Sequence, residues 1–267
     1  MADRNAATAT EIHEYWTNQV RTHGSSHAAS WTDRWAIDLE VRAITQRLAD
    51  DDRVLDIGCG NGYSTVEFAL RKRVSIRGID YVPEMVTEAR GRALSTASQL
   101  MGRVEFAVGN LMTLDEPSDA YDKVITVRVL INLGSWEAQQ TALASCARVT
   151  RPGGLLLLSE ATLQGWRRLN AFRSEWNLPA IGMPDFNTYL DEERVVDTLA
   201  SAFDLVEIAN FASTYFVGTR VIKPLLAKAG DLETLIAEPD LHWNRWWSTL
   251  PAAGDYGTQK LFVFRKR

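Results

Sequence analysis

The stretch "VLDIGCGNGYST", Val54 to Thr65, limits what this chain can fold into more than any other. Apolar residues of buried-strand character run into three alternate glycines, Gly58, Gly60 and Gly62, and then into residues suited to a helix. Such a turn lets a ligand approach the backbone at a helix N-terminus, where amide donors and the helix dipole favour negative charge. The alternation continues along the chain, with further β-branched or apolar runs at 74–80, 103–109, 122–129, 154–160, 203–211 and 259–266. Helical stretches fit between them at Tyr63 to Leu70, Pro83 to Ser98, Trp136 to Thr150 and Asp191 to Ser201. Pro83 suits a first helical turn, and "TRPGG" at 150–154 stops a helix before the fifth run. Seven strands with helices between them make an α/β fold with a largely parallel sheet.

Three segments stand outside this alternation. Residues 1–50 read as two amphipathic helices forming a lid, with Ile12, Tyr15, Trp16 and Val20 on one face and Trp31, Trp35, Leu39, Ala43 and Leu48 on another. The stretch "RTHGSSHAAS" between them reads as a flexible joint. Residues 51–267 form the main domain, interrupted by insertions at 162–190 and 213–257, and long connections of that kind usually carry function. The second insertion contains "HWNRWW", where Trp243, Trp246, Trp247 and Leu250 share a helical face. That stripe either packs on the core or a partner subunit or meets substrate directly, and its place makes it an expected roof for an acceptor pocket, with His242 or Arg245 at the edge.

With 46% hydrophobic and 24% charged residues the chain is an ordinary globular protein, and its net charge of -5 supplies no field for nucleic acid. No apolar run approaches membrane-spanning length, and the opening residues lack the cationic and apolar regions of a leader, so a cytoplasmic location is expected. The two cysteines, Cys59 and Cys146, make a disulfide framework unexpected.

The glycine turn is spaced GxGxG, whereas nicotinamide and flavin enzymes normally use GxGxxG. Asp56 precedes it by two residues, and Asp80 ends the second strand, where a carboxylate suits a ribose diol. On these residues the chain resembles the class I S-adenosylmethionine-dependent methyltransferases. "VLDIGCGNG" is similar to their first motif, "GIDYVPEMV" to the acidic second-strand motif, "VGNLMTL" to the third-strand motif and "RVTRPGGLLLLSE" to the helix-turn-strand after the fourth strand. The resemblance implies a Rossmann-like seven-stranded sheet in the order 3-2-1-4-5-7-6, strand 7 antiparallel, with helices on both faces. It also implies the cofactor S-adenosyl-L-methionine, with the loop from Asp56 through Gly58, Cys59 and Gly60 at its methionine portion and Asp80 at the ribose. Tyr81 with Val82 would take one adenine face, Asn110 the adenine amine and Leu111 the ring. The family more often has Asp at the position of Asn110. Arg128, after the fourth strand, would face the donor's reactive end, there to bind the substrate or the donor carboxylate, because a guanidinium and a sulfonium repel.

Alternatives stand beside these roles. Cys59 suits small-residue packing in the turn better than a nucleophile, Asp56 either fixes loop amides or touches the donor, and Glu160 is either a substrate contact or a rim charge. Tyr15 and Trp16 would close over the sulfur end, with core packing the competing role for Trp16. Among the four histidines His13 and His242 are the candidate bases. Arg128 and Asn132 stand where a magnesium-assisted enzyme would have acidic residues, so no metal is expected. Without NPPY-like or Pro-Cys sequences the acceptor is read as a small metabolite, of specialised-metabolite or sugar type, methylated at N or O. A nicotinamide dehydrogenase and a donor-binding inactive scaffold remain the alternatives, and homo-oligomerisation stays open.

Overall fold

The computed structural model describes residues 8–267, so the first seven residues of the expected lid lie outside the described residues. The strands are β1 (Arg53–Ile57), β2 (Ser75–Asp80), β3 (Arg103–Val108), β4 (Tyr121–Val127), β5 (Thr150–Ala161), β6 (Phe203–Ala209) and β7 (Gln259–Lys266). They form one sheet in the order β3-β2-β1-β4-β5-β7-β6, as expected. The first five are mutually parallel, and β7 runs antiparallel between β5 and β6, pairing Leu158 with Phe262 and Phe262 with Ile208. The long connection after β6 permits this reversal, because no crossover helix has to bring the chain back to its starting edge. The carboxyl ends of β1, β2, β3 and β4 therefore share one edge, and the loops leaving them converge.

The helices are α1 (Ala9–His23), α2 (Arg34–Thr45), α3 (Tyr63–Arg71), α4 (Pro83–Thr96), α5 (Trp136–Val149), α6 (Leu163–Glu175), α7 (Glu192–Leu199), α8 (Ser213–Val217), α9 (Lys223–Ala229) and α10 (His242–Trp247). Their starts follow local chemistry: Thr8 and Glu11 form a capping box for α1, Pro83 opens α4, and the Ser135 hydroxyl accepts from the Ala138 amide at 3.2 Å to cap α5. One sheet face is covered by α5 and α7 through Leu143, Cys146, Val195 and Leu199. The other is covered by α2 and α3 through Ile37, Val41, Ile44 and Phe68. Of the segment expected as a lid, α2 is thus a core helix, since its apolar stripe lies on the sheet. The part that lies over the carboxyl edge is α1 with the short turn after it, where Trp16, Val20 and Ala29 pack on Val82 and Met85. The expected flexible joint is also tied down, with a short helical turn at His27–Ala29 capped by Ser26.

The two insertions pack on each other and on α2, and the end of the first also reaches the carboxyl edge, where the Thr188 amide donates to Ile131 O at 2.7 Å and Phe186 lies 4.5 Å from Tyr15 of α1. Leu169 and Leu178 of the first join Tyr215, Phe216 and Val221 of the second around Ala36 and Trp35. Between α8 and α9 the backbone widens into a π-helical turn, Gly218–Ile222. Its Gly218 has no side chain because the Trp247 indole occupies the space, only 2.1 Å from where a Cβ would stand. The Trp243 ring nitrogen donates to Gly218 O at 3.0 Å. Trp243 and Trp247 therefore serve packing, whereas Trp246 is 56% exposed, so the expected single stripe is divided.

Candidate active site

Where β1 ends, Gly58 has φ +71°, and its amide and that of Cys59 donate to Ile79 O at 2.8 and 3.0 Å. A Cβ at Gly58 would fall 2.3 Å from Val129 Cγ2, so the loops after β1 and β4 can meet only with glycine there. They border a cavity of about 650 Å³ whose other walls come chiefly from the loops after β2 and β3 and from α1, with Ser30 and, from α5, Ala138 completing them.

At the mouth of β2 the Asp80 carboxylate, 7% exposed, accepts from the Gly60 amide through Oδ2 and from the Val82 amide through Oδ1, both at 2.9 Å. Burial pushes its pKa up to about 6, against the opposing pull of those amides and of His13. Asp56, 2% exposed, accepts from Thr65 Oγ1 at 2.5 Å, and burial raises it to about 7 with help from the charges of Asp80 and Glu40. Its carboxylate thus anchors the first turn of α3 while bordering the cavity. Cys59 also lines the cavity, and burial pushes its thiol well up, which removes thiolate chemistry.

Tyr81, Asn110 and Leu111 line the same side. The Asn110 side-chain oxygen accepts from Met112 N at 2.9 Å, so this residue caps the turn that presents Leu111. Of the four histidines, His13 is the one on the cavity wall, its ring edge against Tyr81 at 5.2 Å. Trp16 lines the cavity as well, while Tyr15 lies one layer out, 4.5 Å from Phe186 and 5.1 Å from Trp16.

Several expectations change. His242 is exposed on α10 and lines no part of the cavity among the described residues. The expected roof is likewise absent there, because α10 stacks on the π-helical turn and borders a separate cavity of about 500 Å³ with Asp33, Arg173 and Arg220. Glu160 is neither a substrate contact nor a rim charge: it is fully buried and accepts from Thr126 Oγ1 and the amides of Val129 and Leu130 at 3.0–3.1 Å. It shapes the loop after β4. Arg128 lines the cavity, with a left-handed backbone (φ +56°), but its guanidinium is ion-paired with buried Glu40 and lies 5.1 Å over the Trp31 ring.

Glu40 itself also accepts from Ser159 Oγ and, at 3.1 Å, from Gln259 Nε2, so a carboxylate from α2 stands at the centre of a buried polar cluster beside the cavity. Sequence reasoning missed it. The available signal is its spacing: Glu40 follows Ala36 and Ile37 by four and three residues and precedes Ile44 by four, which puts a charge on the buried stripe.

A family model for a methyltransferase domain matches residues 54–154. A 27-O-demethylrifamycin SV methyltransferase of Amycolatopsis mediterranei is 33% identical over 152 residues, 57% of this chain and 51% of that protein. An O-methyltransferase of Aspergillus nomiae is 30% identical over 170 residues, 58% of this chain and 73% of that protein. The chain belongs to the S-adenosylmethionine-dependent methyltransferases. Against several of its curated relatives in that family the match spans about half their length. Among solved structures, the magnesium protoporphyrin IX methyltransferase of Synechocystis PCC 6803, solved with bound S-adenosylhomocysteine, superposes with a TM-score of 0.62 at 15% identity, covering 97% of this chain and 100% of that one. The (4+2)-cyclase SpnF superposes with a TM-score of 0.61 at 18% identity, covering 98% and 97%. At these identities the likeness to both structures is one of fold. Membership in the methyltransferase family removes the nicotinamide dehydrogenase alternative.

Proposed function

We propose that this protein binds S-adenosyl-L-methionine and transfers its methyl group to an N or O atom of a small metabolite, of specialised-metabolite or sugar type. The observation that carries the reading is the Asp80 carboxylate, which lines the cavity and is held by two backbone amides, one on each oxygen. A nucleoside fits it: a diol can donate to both oxygens, Tyr81 and Leu111 offer apolar faces beside them, and the glycine loop brings backbone close to what lies next. When bound, the donor would supply an electrophilic methyl carbon on a sulfonium, which an acceptor lone pair takes as the carbon–sulfur bond breaks and the neutral thioether leaves.

The chain's own part is alignment and the exclusion of water. Ile12 and Trp16 of α1 cover the cavity with apolar surface, and Val129 and Leu133 continue that surface from the loop after β4. Arg128 contributes its backbone turn, its charge being answered by Glu40. His13 lies against Tyr81 and near enough to Asp80 to draw its pKa down, so we assign it to the nucleoside end rather than to deprotonation of the acceptor. An acceptor that attacks without a strong base, a neutral amine or an acidic hydroxyl, suits such a site.

The relatives named for methylation of a demethylrifamycin and of ajmaline support a small acceptor. Both cysteines are unpaired, and no helix among the described residues is long and apolar enough to cross a membrane; a cytoplasmic setting belongs to the same proposal. Calorimetric titration with S-adenosylmethionine, followed by transfer of a labelled methyl group to a panel of phenols, amines and glycosides, tests it. Absence of donor binding overturns it. Donor binding without transfer favours the second reading, a donor-holding protein without transferase activity; the fold alone does not decide between the two, since a cyclase shares it.

A further inference from the structure

The turn that ends α1 presents three successive carbonyls to two side chains of the core. Asn61 Nδ2 donates to Gly24 O at 2.9 Å and to Ser26 O at 2.7 Å. Arg92, from α4, takes the carbonyl between them, Ser25 O, with Nη2, and its Nε donates to the backbone carbonyl of Asn61 at 3.2 Å. The same guanidinium lies 5.0 Å over the Tyr63 ring, and that ring is 5.7 Å from the ring of His27. Asn61 is only 2% exposed and stands between Gly60, whose amide holds Asp80, and Gly62, which caps α3. One hydrogen-bonded unit thus contains the loop at the nucleoside site and the far end of the helix that covers it.

We propose that Asn61 and Arg92 are positioning residues that lock α1 to the glycine loop, so that His13 and Trp16 stand over the cavity when that loop has its donor-binding shape. The proposal rests on the methyltransferase reading for what the lock retains. The chemistry is specific to a primary amide, whose two N–H groups lie in one plane and meet two carbonyls at once. A carboxylate of the same shape has only acceptors and faces the same two carbonyls with repulsion, whereas alanine merely leaves them unpaired. The ordering of the variants therefore separates donation from packing: Asn61→Asp must be worse than Asn61→Ala, although it fills the space better.

Hydrogen exchange of residues 9–23 in the ligand-free protein reads the lock directly, and the dissociation rate of S-adenosylhomocysteine, followed by tryptophan fluorescence, reads its consequence. Asn61→Asp is expected to speed both by roughly tenfold, Asn61→Ala by less. Exchange in β1, β4 and β5 should stay as in the wild type. Arg92→Gln, a change at a half-buried position, loosens the other side of the lock in the same direction and keeps the test open if the Asn61 variants fold poorly. Wild-type exchange over residues 9–23 in a folded Asn61→Asp or Arg92→Gln protein overturns the proposal, as does an alanine variant that is looser than the aspartate. Failure of the wild type to bind S-adenosylhomocysteine overturns the methyltransferase reading alone, since exchange without ligand still decides the lock.

Discussion

At the scale of single residues, two buried carboxylates with similar burial do different work because of what donates to them. Asp80 keeps lone pairs toward the cavity, and its pKa of about 6 makes binding pH-dependent. A ribose diol requires the ionised form, so the affinity for S-adenosylhomocysteine is expected to be level above about pH 7 and to fall below pH 6 by up to about tenfold per pH unit. Calorimetry at several pH values measures this. Asp80→Asn should weaken binding by about 2 kcal/mol near neutrality, roughly thirtyfold, and should abolish the pH slope. Glu160 is not among the described residues that line the cavity and accepts instead from the amides of Val129 and Leu130. Glu160→Ala leaves those amides unpaired and should cost about 1–3 kcal/mol in urea unfolding. Glu160→Gln, which keeps one acceptor, should cost less.

At the scale of elements, the tryptophan segment shows how a helical face is decided by its partner. Period arithmetic places Trp243, Trp246 and Trp247 together, but α10 has only six residues and meets a narrow surface, the π-helical turn at Gly218. That surface holds two indoles and leaves the third in solvent. Trp247→Ala should therefore destabilise the protein by about 2–4 kcal/mol, while leaving S-adenosylhomocysteine affinity unchanged, and Trp246→Ala should change stability by less than about 0.5 kcal/mol. Thermal and urea unfolding of the two variants distinguish them. A loss of donor affinity in Trp247→Ala would instead restore the segment to the roof of the site.

At the scale of the whole molecule, the carboxyl edge of the sheet gathers acidic groups that fold at a cost. Asp56 and Glu160 have pKa values raised to about 7 and Asp80 to about 6, above their ordinary carboxylate values, chiefly through burial. The folded state then binds protons more tightly than the unfolded state between the ordinary carboxylate range and about pH 7. The stability these three contribute is present at the acid end of that window and is lost as pH rises through 6 to 7. The urea midpoint of the ligand-free protein is expected to fall between about pH 5 and 7 and to level off above that, with Glu160→Gln showing a shallower decline.

Sequence by itself determined the order and kind of the core elements, the glycine turn and the acidic end of β2, because each rests on neighbours a few residues apart. Runs of apolar residues, the Gly58 to Gly62 spacing and Pro83 are local signals, and the seven strands lie where those signals stand. The tertiary structure alone decided that α2 is core while α1 covers the cavity, that His13 faces it and His242 does not, and that Arg128 spends its charge on Glu40. Those outcomes depend on contacts between residues far apart in the chain, such as Glu40 with Arg128 and Ser159, or Asn61 with Gly24 and Ser26. A side chain's partner across such distances is set by which loops the sheet brings to one edge, and no local pattern encodes that meeting.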